Sequence, residues 1–330
     1  MRIVQLQRIS GETGVAIVEG ESLRLITGFD SVFALTQAAL AEGRGLAAAA
    51  QKRVTDERLD YDPIYRMQSD WRLLPPLTHP EPARCLVTGT GLTHNASAKN
   101  REAMHADPRQ LSDSMRMYLA GVEGGRPAPG MAGVAPEWFY KGCGTNVRAH
   151  GEPLTIPPFG CDGGEEPEIA GLYVIDQRGR PRRVGMAMAN EFSDHVLEKQ
   201  NYLYLAHSKL RTCALGPELV VDPDFGVAPG TVSIERGERV VWQQAIASGE
   251  GNMSHSLANL EHHHFKYDVH RRPGDVHIHF FGADAFSFGA GIALEDGDVM
   301  VVAFEGFGRP LRNSLRVAKQ AAEFVAVAPV

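Results

Sequence analysis

Short apolar runs, cut by glycine and proline, set the pattern of this chain. Residues 1 to about 56 read as a small α/β unit, with β-prone runs at 2–6, 15–18 and 23–26 separated by glycines. Asp30 or Ser31 then caps a helix that carries Val32, Phe33, Leu35, Ala39 and Leu40 at helical spacing. A second, alanine-rich helix is predicted over 46–54. Residues 57–84 hold Pro63, Pro75, Pro76, Pro80 and Pro82 with little periodicity, and read as an extended connector. From Cys85 onward, β-rich runs recur at 172–175, 184–188, 219–221, 231–234, 239–243, 276–281 and 299–304. Helices are predicted near 109–119, 193–205 and 252–266. Many short strands with wide glycine turns imply a mixed or antiparallel β-rich domain, not a repeating βαβ sheet. The chain is therefore expected to be α+β, with a small N-terminal domain and connector at 1–84 and a larger domain at 85–330.

Composition narrows the classes. The chain has 330 residues, a formal net charge of −7, 43% hydrophobic and 22% charged residues, the balance of a packed globular protein. A chain of this length buries about 75% of its unfolded surface and needs no staple. The negative charge argues against a nucleic-acid partner or an anionic membrane. No apolar run reaches the roughly 18 residues that span a bilayer, and the first residues lack the apolar stretch of a secretory signal. A cytoplasmic location is expected. Cys85, Cys143, Cys161 and Cys213 form no C-x-x-C pair and read as reduced thiols.

Three places offer chemistry. Gly89-Thr90-Gly91 follows a strand-like run, but the third glycine of a dinucleotide fingerprint would fall on His94, so a nucleotide site is not expected. His277 and His279 alternate and share one strand face, as a zinc pair would, although a hydrogen-bonded strand face needs no metal. Glu166 and Glu168 also share a face of extended chain. Two anions side by side are unfavourable unless a cation lies between them. Glu191, at the end of another β-prone run, can complete a set of hard oxygens suited to Mg²⁺ or Mn²⁺.

These carboxylates fall in a longer pattern. Glu166-x-Glu168 is followed by Gly185…Asn190-Glu191-Phe192-Ser193, then Ser208-Lys209, then Leu215-Gly216-Pro217. The chain closes with Gly297-Asp298-Val299 and Glu305-Gly306-Phe307-Gly308-Arg309-Pro310-Leu311-Arg312-Asn313. In this order the motifs resemble the core of the fumarylacetoacetate hydrolase superfamily over about residues 85–315, with Phe139-Tyr140-Lys141 a looser match. The resemblance implies a mixed β-roll fold and metal ligands Glu166, Glu168 and Glu191, the last a Glu where most members carry Asp. It implies Lys209 as the active-site base.

The hydrolytic members place a water-activating histidine where this chain has Ser97, and often an Ala-Arg pair where it has Asp194-His195. Both departures favour the sugar-acid branch, typified by 2-keto-3-deoxyarabinonate dehydratase, and point to Glu137 as acid. Lys141, His195, Gly282, Ala283 and Ser287 are expected to contact the substrate. The implied reaction is dehydration of a 2-keto-3-deoxy sugar acid. Lys209 would take the C3 proton and Glu137 would protonate the departing C4 hydroxyl. Hydrolysis of an acylpyruvate or a 2,4-diketo-3-deoxy acid is the sister alternative. A keto-acid-binding protein without turnover is the alternative of another class. A homodimer or higher homo-oligomer is expected from the family.

Overall fold

The computed structural model describes residues 1–95 and 112–330. Among these, a thirteen-stranded sheet and a five-stranded sheet carry the architecture. The large sheet runs in the order Val54–Asp60, Ser22–Ile26, Thr13–Glu19, Arg2–Arg8, Leu219–Val220, Pro181–Asn190, Pro167–Ile175, Val276–Phe280, Cys85–Gly89, Phe139–Cys143, with three short strands off this path. The small sheet runs Arg239–Ser248, Ala228–Arg236, Val299–Phe304, Leu311–Val317, Leu154–Ile156. Most pairs are antiparallel, and Val276–Phe280 beside Cys85–Gly89 is parallel. The α+β expectation and the absence of a βαβ repeat are borne out.

Pro167–Ile175 is buried at every position. Alternation sends Ala170, Leu172 and Val174 into one core, with Val32, Leu35 and Ala49 of the helices Val32–Ala41 and Leu46–Gln51. Ile169, Met186 and Met188 enter the other core, against Val232, Met300 and Val302 of the small sheet. Burial of both faces explains the nearly continuous apolar texture of these strands. Two hydrophobic cores therefore hold the strand that begins next to Glu166 rigidly in place.

The N-terminal helix begins as expected, with Ser31 accepting the Ala34 N–H as its cap. Three details differ from the sequence reading. The second helix stops at Gln51, and the stretch expected to be an extended connector instead contains the strand Val54–Asp60, the helix Tyr61–Tyr65 and the strand Trp71–Leu74. Asp60 caps that helix through the Asp62 N–H, so proline there opens an element instead of preventing one. The expected helix over 193–205 is broken into His195–Gln200, a turn of 3-10 helix at Tyr202–Tyr204, and Leu205–Lys209. Asn201 is the cause: its backbone is extended and its side chain accepts the Leu203 N–H, which restarts the helix.

The first strand reaches the large sheet through Arg2 and Ile3, which pair with Val220 and Leu219. Beside this joint, the buried Glu218 carboxylate accepts from Arg2 Nη1 at 2.9 Å, Tyr61 Oη at 2.9 Å and the Arg309 N–H at 3.1 Å. Gly308 passes so close that a Cβ would lie 2.3 Å from the Glu218 carboxyl carbon, with φ at +90°. A glycine at 308 is needed to admit the carboxylate. Among the described residues no helix is long and apolar enough to cross a membrane.

Candidate active site

Glu166 and Glu168 sit at the head of Pro167–Ile175, and Glu191 follows the end of the antiparallel neighbour Pro181–Asn190. The pairing of Pro167 with Asn190 brings the two ends together. The turn is fixed locally: the Glu191 N–H donates to Glu166 O at 2.9 Å, and Asn190 Oδ1 accepts the Glu166 N–H at 3.3 Å. One oxygen from each of the three glutamates lies within 4.8 Å of the others, and all three residues are buried. Among the described residues this is the cluster of metal-binding geometry.

The electrostatics of the cluster call for a cation. Burial, then the Glu191 and Glu166 charges, push the Glu168 carboxyl well above the usual carboxylate range. Burial and Glu166 raise Glu191 as well. Glu166 is opposite: burial works against its charge, yet Lys209 and His195 hold it well below the usual range. Glu168 Oε2 accepts the Gly282 N–H at 2.7 Å, while its Oε1 is buried with no hydrogen-bond partner. An orphaned carboxylate oxygen facing two other carboxylates is the donor set of a hard divalent cation, so the residues fit such an ion.

Lys209 ends the helix Leu205–Lys209. Its ammonium donates to Glu166 Oε1 at 2.6 Å, Glu191 Oε2 at 3.0 Å and Ser193 Oγ at 3.0 Å, and lies 3.4 Å from Glu198. The ammonium also lies 5.2 Å from the centre of the Phe139 ring, two residues beyond Glu137. Glu137 is buried and accepts a hydrogen bond from Tyr202 Oη. Its Oε2 lies so near Gly91 that a Cβ there would come within 1.8 Å. Gly91, the second glycine of the run that imitates a nucleotide fingerprint, thus leaves the space that the Glu137 carboxylate fills.

The expected substrate contacts lie closer to the glutamates than the sequence implied. Lys141 is fully buried, and its ammonium donates to Phe192 O at 2.6 Å and Lys209 O at 2.9 Å, with Glu191 Oε1 at 3.4 Å. Burial drives its pKa down. His195 Nε2 donates to Glu166 Oε1 at 3.0 Å. The Gly282 N–H faces Glu168, with Ala283 buried after it. Ser287 donates to Glu165 through both N–H and Oγ, at 2.6 and 2.7 Å. Lys141, His195 and Gly282 thus touch the acid cluster, and Ser287 holds the neighbouring Glu165.

Glu165, Ser193, Glu198 and Tyr202 were not singled out from the sequence. Glu165 carried a signal, being the third acid in Glu165-Glu166-Pro167-Glu168, and Ser193 is the closing residue of the Asn190–Ser193 motif. Glu198 and Tyr202 carried none, because a broken helix folds them back. His277 and His279 lie on one buried strand face as expected, but their Nδ1 atoms bond to His264 Nε2 at 2.9 Å and Thr88 Oγ1 at 2.8 Å, outside any metal-like group. His94 is buried beside Thr93. Ser97 lies outside the described residues, as do 109–111 of the helix expected at 109–119; the helix among the described residues is Asp113–Gly124, capped by Ser112.

Two mixed sheets, with the acid cluster where two central strands meet, define a fumarylacetoacetate-hydrolase type of fold. Among solved structures, the chain is similar to 2-keto-3-deoxy-D-arabinonate dehydratase in its apo form, with a TM-score of 0.71 and 19% identity over 97% of this chain and 100% of that one. It is equally similar to that enzyme complexed with magnesium and 2,5-dioxopentanoate, with a TM-score of 0.71 and 20% identity over 97% and 100%. The 5-carboxymethyl-2-hydroxymuconate delta-isomerase of Mycobacterium smegmatis follows at 0.60 and 15%, over 96% and 100%. No protein-family model matches the chain, and no curated protein does.

Proposed function

We propose that this chain is a metal-dependent hydro-lyase of the fumarylacetoacetate hydrolase superfamily that dehydrates a 2-keto-3-deoxy sugar acid, a pentonate such as arabinonate. The observation that carries the reading is the set of three converging buried glutamates with an ammonium, Lys209, on two of them. Glu166, Glu168 and Glu191 would hold Mg²⁺ or Mn²⁺. The bound cation would supply Lewis acidity to the 2-keto oxygen, which makes the C3 hydrogens acidic.

The chain's own groups carry the protons. Lys209, freed from its carboxylates, takes a proton from C3. Glu137, oriented by Tyr202, gives its proton to the C4 hydroxyl, the C4–O bond breaks and water leaves. Loss of a C5 proton and return of a proton to C3 convert the resulting enone to an enol. Protonation at C4 then yields the semialdehyde of 2-oxoglutarate. Lys141, Gly282 and Ser287 keep the acids in place. A homodimer in the cytoplasm is the working assembly under this reading.

The test is to incubate purified protein, Mg²⁺ and a panel of 2-keto-3-deoxy acids, and follow products by mass spectrometry. Loss of the mass of one water, with deuterium at C3 when the reaction runs in D₂O, is the expected result. Release of pyruvate from an acylpyruvate or a 2,4-diketo acid would replace this reading with the hydrolytic one and leave the metal assignment standing. Binding without turnover of any acid would favour the non-catalytic alternative.

A further inference from the structure

His195 opens the helix His195–Gln200, which Asp194 caps by accepting the Leu197 N–H. Its imidazole is wholly enclosed. The ring stacks on Phe286, with centres 4.7 Å apart and planes 2° from parallel, and on Phe288 at 5.1 Å and 28°. Gly164 closes the remaining side: a Cβ there would stand 2.6 Å from Nδ1. Gly164 is itself fixed by two backbone hydrogen bonds with Ser193, each 3.0 Å. The ring can therefore present only Nε2, and Nε2 meets Glu166 Oε1 at 3.0 Å. A carboxylate only accepts, so Nε2 carries the proton.

Glu166 Oε1 has two donors, Lys209 and His195. A base that leaves to collect a substrate proton cannot also be the permanent anchor of a ligand. His195 touches no open space and is the donor that stays. The loop that stacks on it also holds the neighbouring acids, through the Gly282 N–H on Glu168 and Ser287 on Glu165. One stretch of chain thus reaches Glu165 and Glu168 directly and Glu166 through the histidine.

We infer that His195 is a positioning residue: locked by Phe286, Phe288 and Gly164, it fixes the rotation of the Glu166 carboxylate and so sets the affinity of the acid cluster for a divalent cation. The inference rests on the metal-site reading above. Hydrogen-bond partners behind metal ligands typically contribute about 10–100-fold in metal affinity. Phenylalanine at this position keeps the stack and removes the donor. Glutamine returns a neutral N–H at nearly the reach of Nε2.

The experiment titrates metal-stripped protein with Mn²⁺ and reads free Mn²⁺ by electron paramagnetic resonance. His195→Phe should raise the Kd about tenfold or more, and His195→Gln should recover most of the loss. If His195→Phe fails to fold, Phe286→Leu tests the clamp from the other side and should weaken Mn²⁺ binding by a smaller factor. Unchanged or tighter binding in His195→Phe, or in Phe286→Leu where that arm is used, overturns the inference. Equal weakening in the Phe and Gln variants also overturns it. An unaltered protein that binds no Mn²⁺ overturns the metal-site reading itself, which is a distinct result.

Discussion

Lys209 Nζ lies 2.6 Å from Glu166 Oε1, so the proposed base and a proposed metal ligand form an ion pair. The ammonium neutralises part of the charge that a divalent cation would neutralise when bound. Loading the cation and freeing the lysine are therefore linked events. Lys209→Met should lower kcat on the order of 10²-fold or more, as loss of a general base does. The same change should leave Mn²⁺ affinity equal or tighter, since a competing positive charge is gone. Parallel turnover and calorimetric titration separate the two; weaker metal binding would place Lys209 among the groups that build the site.

Glu168 gives the reverse signature. Its carboxyl is pushed up by burial and by Glu191 and Glu166, so an amide should relieve repulsion in the metal-free protein. Glu168→Gln is expected to keep or raise the thermal midpoint without metal, and to lose the rise that Mg²⁺ or Mn²⁺ gives the unaltered protein. Chelation by EDTA should inactivate the unaltered enzyme reversibly. A variant that still gains stability from metal would remove Glu168 from the ligand set.

Glu137 and Tyr202 should behave as a pair. Glu137→Gln is expected to cost about 10²-fold or more in kcat with Mn²⁺ binding intact. Tyr202→Phe should cost less, because the acid itself stays and loses only its orientation. If the double variant is no slower than Glu137→Gln, the tyrosine acts through the glutamate; additive losses would give it a separate role.

The enclosed histidines predict an acid limit. Burial, and after it the neighbouring histidines, lower His264 strongly, and His277 and His279 to about 3. The ordinary value is about 6.5, so these rings are neutral when folded and take up protons only on unfolding. Their contribution is complete above pH 6.5 or so and declines as the pH falls toward about 3. Each ring contributes a slope of up to about 1.4 kcal/mol per pH unit. Urea unfolding at pH 7 and pH 5 should show the decline, and His279→Gln should flatten it by about one proton. An unchanged slope would count against burial as its cause.

Much of this site was readable because its chemistry is local. Glu166-x-Glu168 alternates on a strand, and Asn190 to Ser193 turn beside it, so short motifs marked the three acids that the fold brings together. Strand pairing that no motif records then set the distances. Lys141 and Ser287 illustrate this, since each has a partner brought in only by the fold, Phe192 O for one and Glu165 for the other. His277 and His279 had the right alternation for a metal, but the helix Leu257–Phe265 supplies His264 as their partner, and alternation cannot reveal what covers a face. The segment after Tyr61 read as a connector because its prolines were counted as breaks, whereas Asp60 uses one to start a helix.

Glu218 also has a bearing on how the chain is made. Its partners, Arg2, Tyr61 and Arg309, are 216, 157 and 91 residues away from it. On a ribosome, the strand Arg2–Arg8 emerges long before its sheet neighbours Leu219 and Val220. Arg309 comes later still. Local hairpins of this size are marginal alone, and distant contacts must wait for loop closure. The strand is thus late to find its full set of neighbours: Trp71–Leu74 can cover Gln5 to Arg8 early, but the edge at Arg2 and Ile3 waits for Val220 and Leu219.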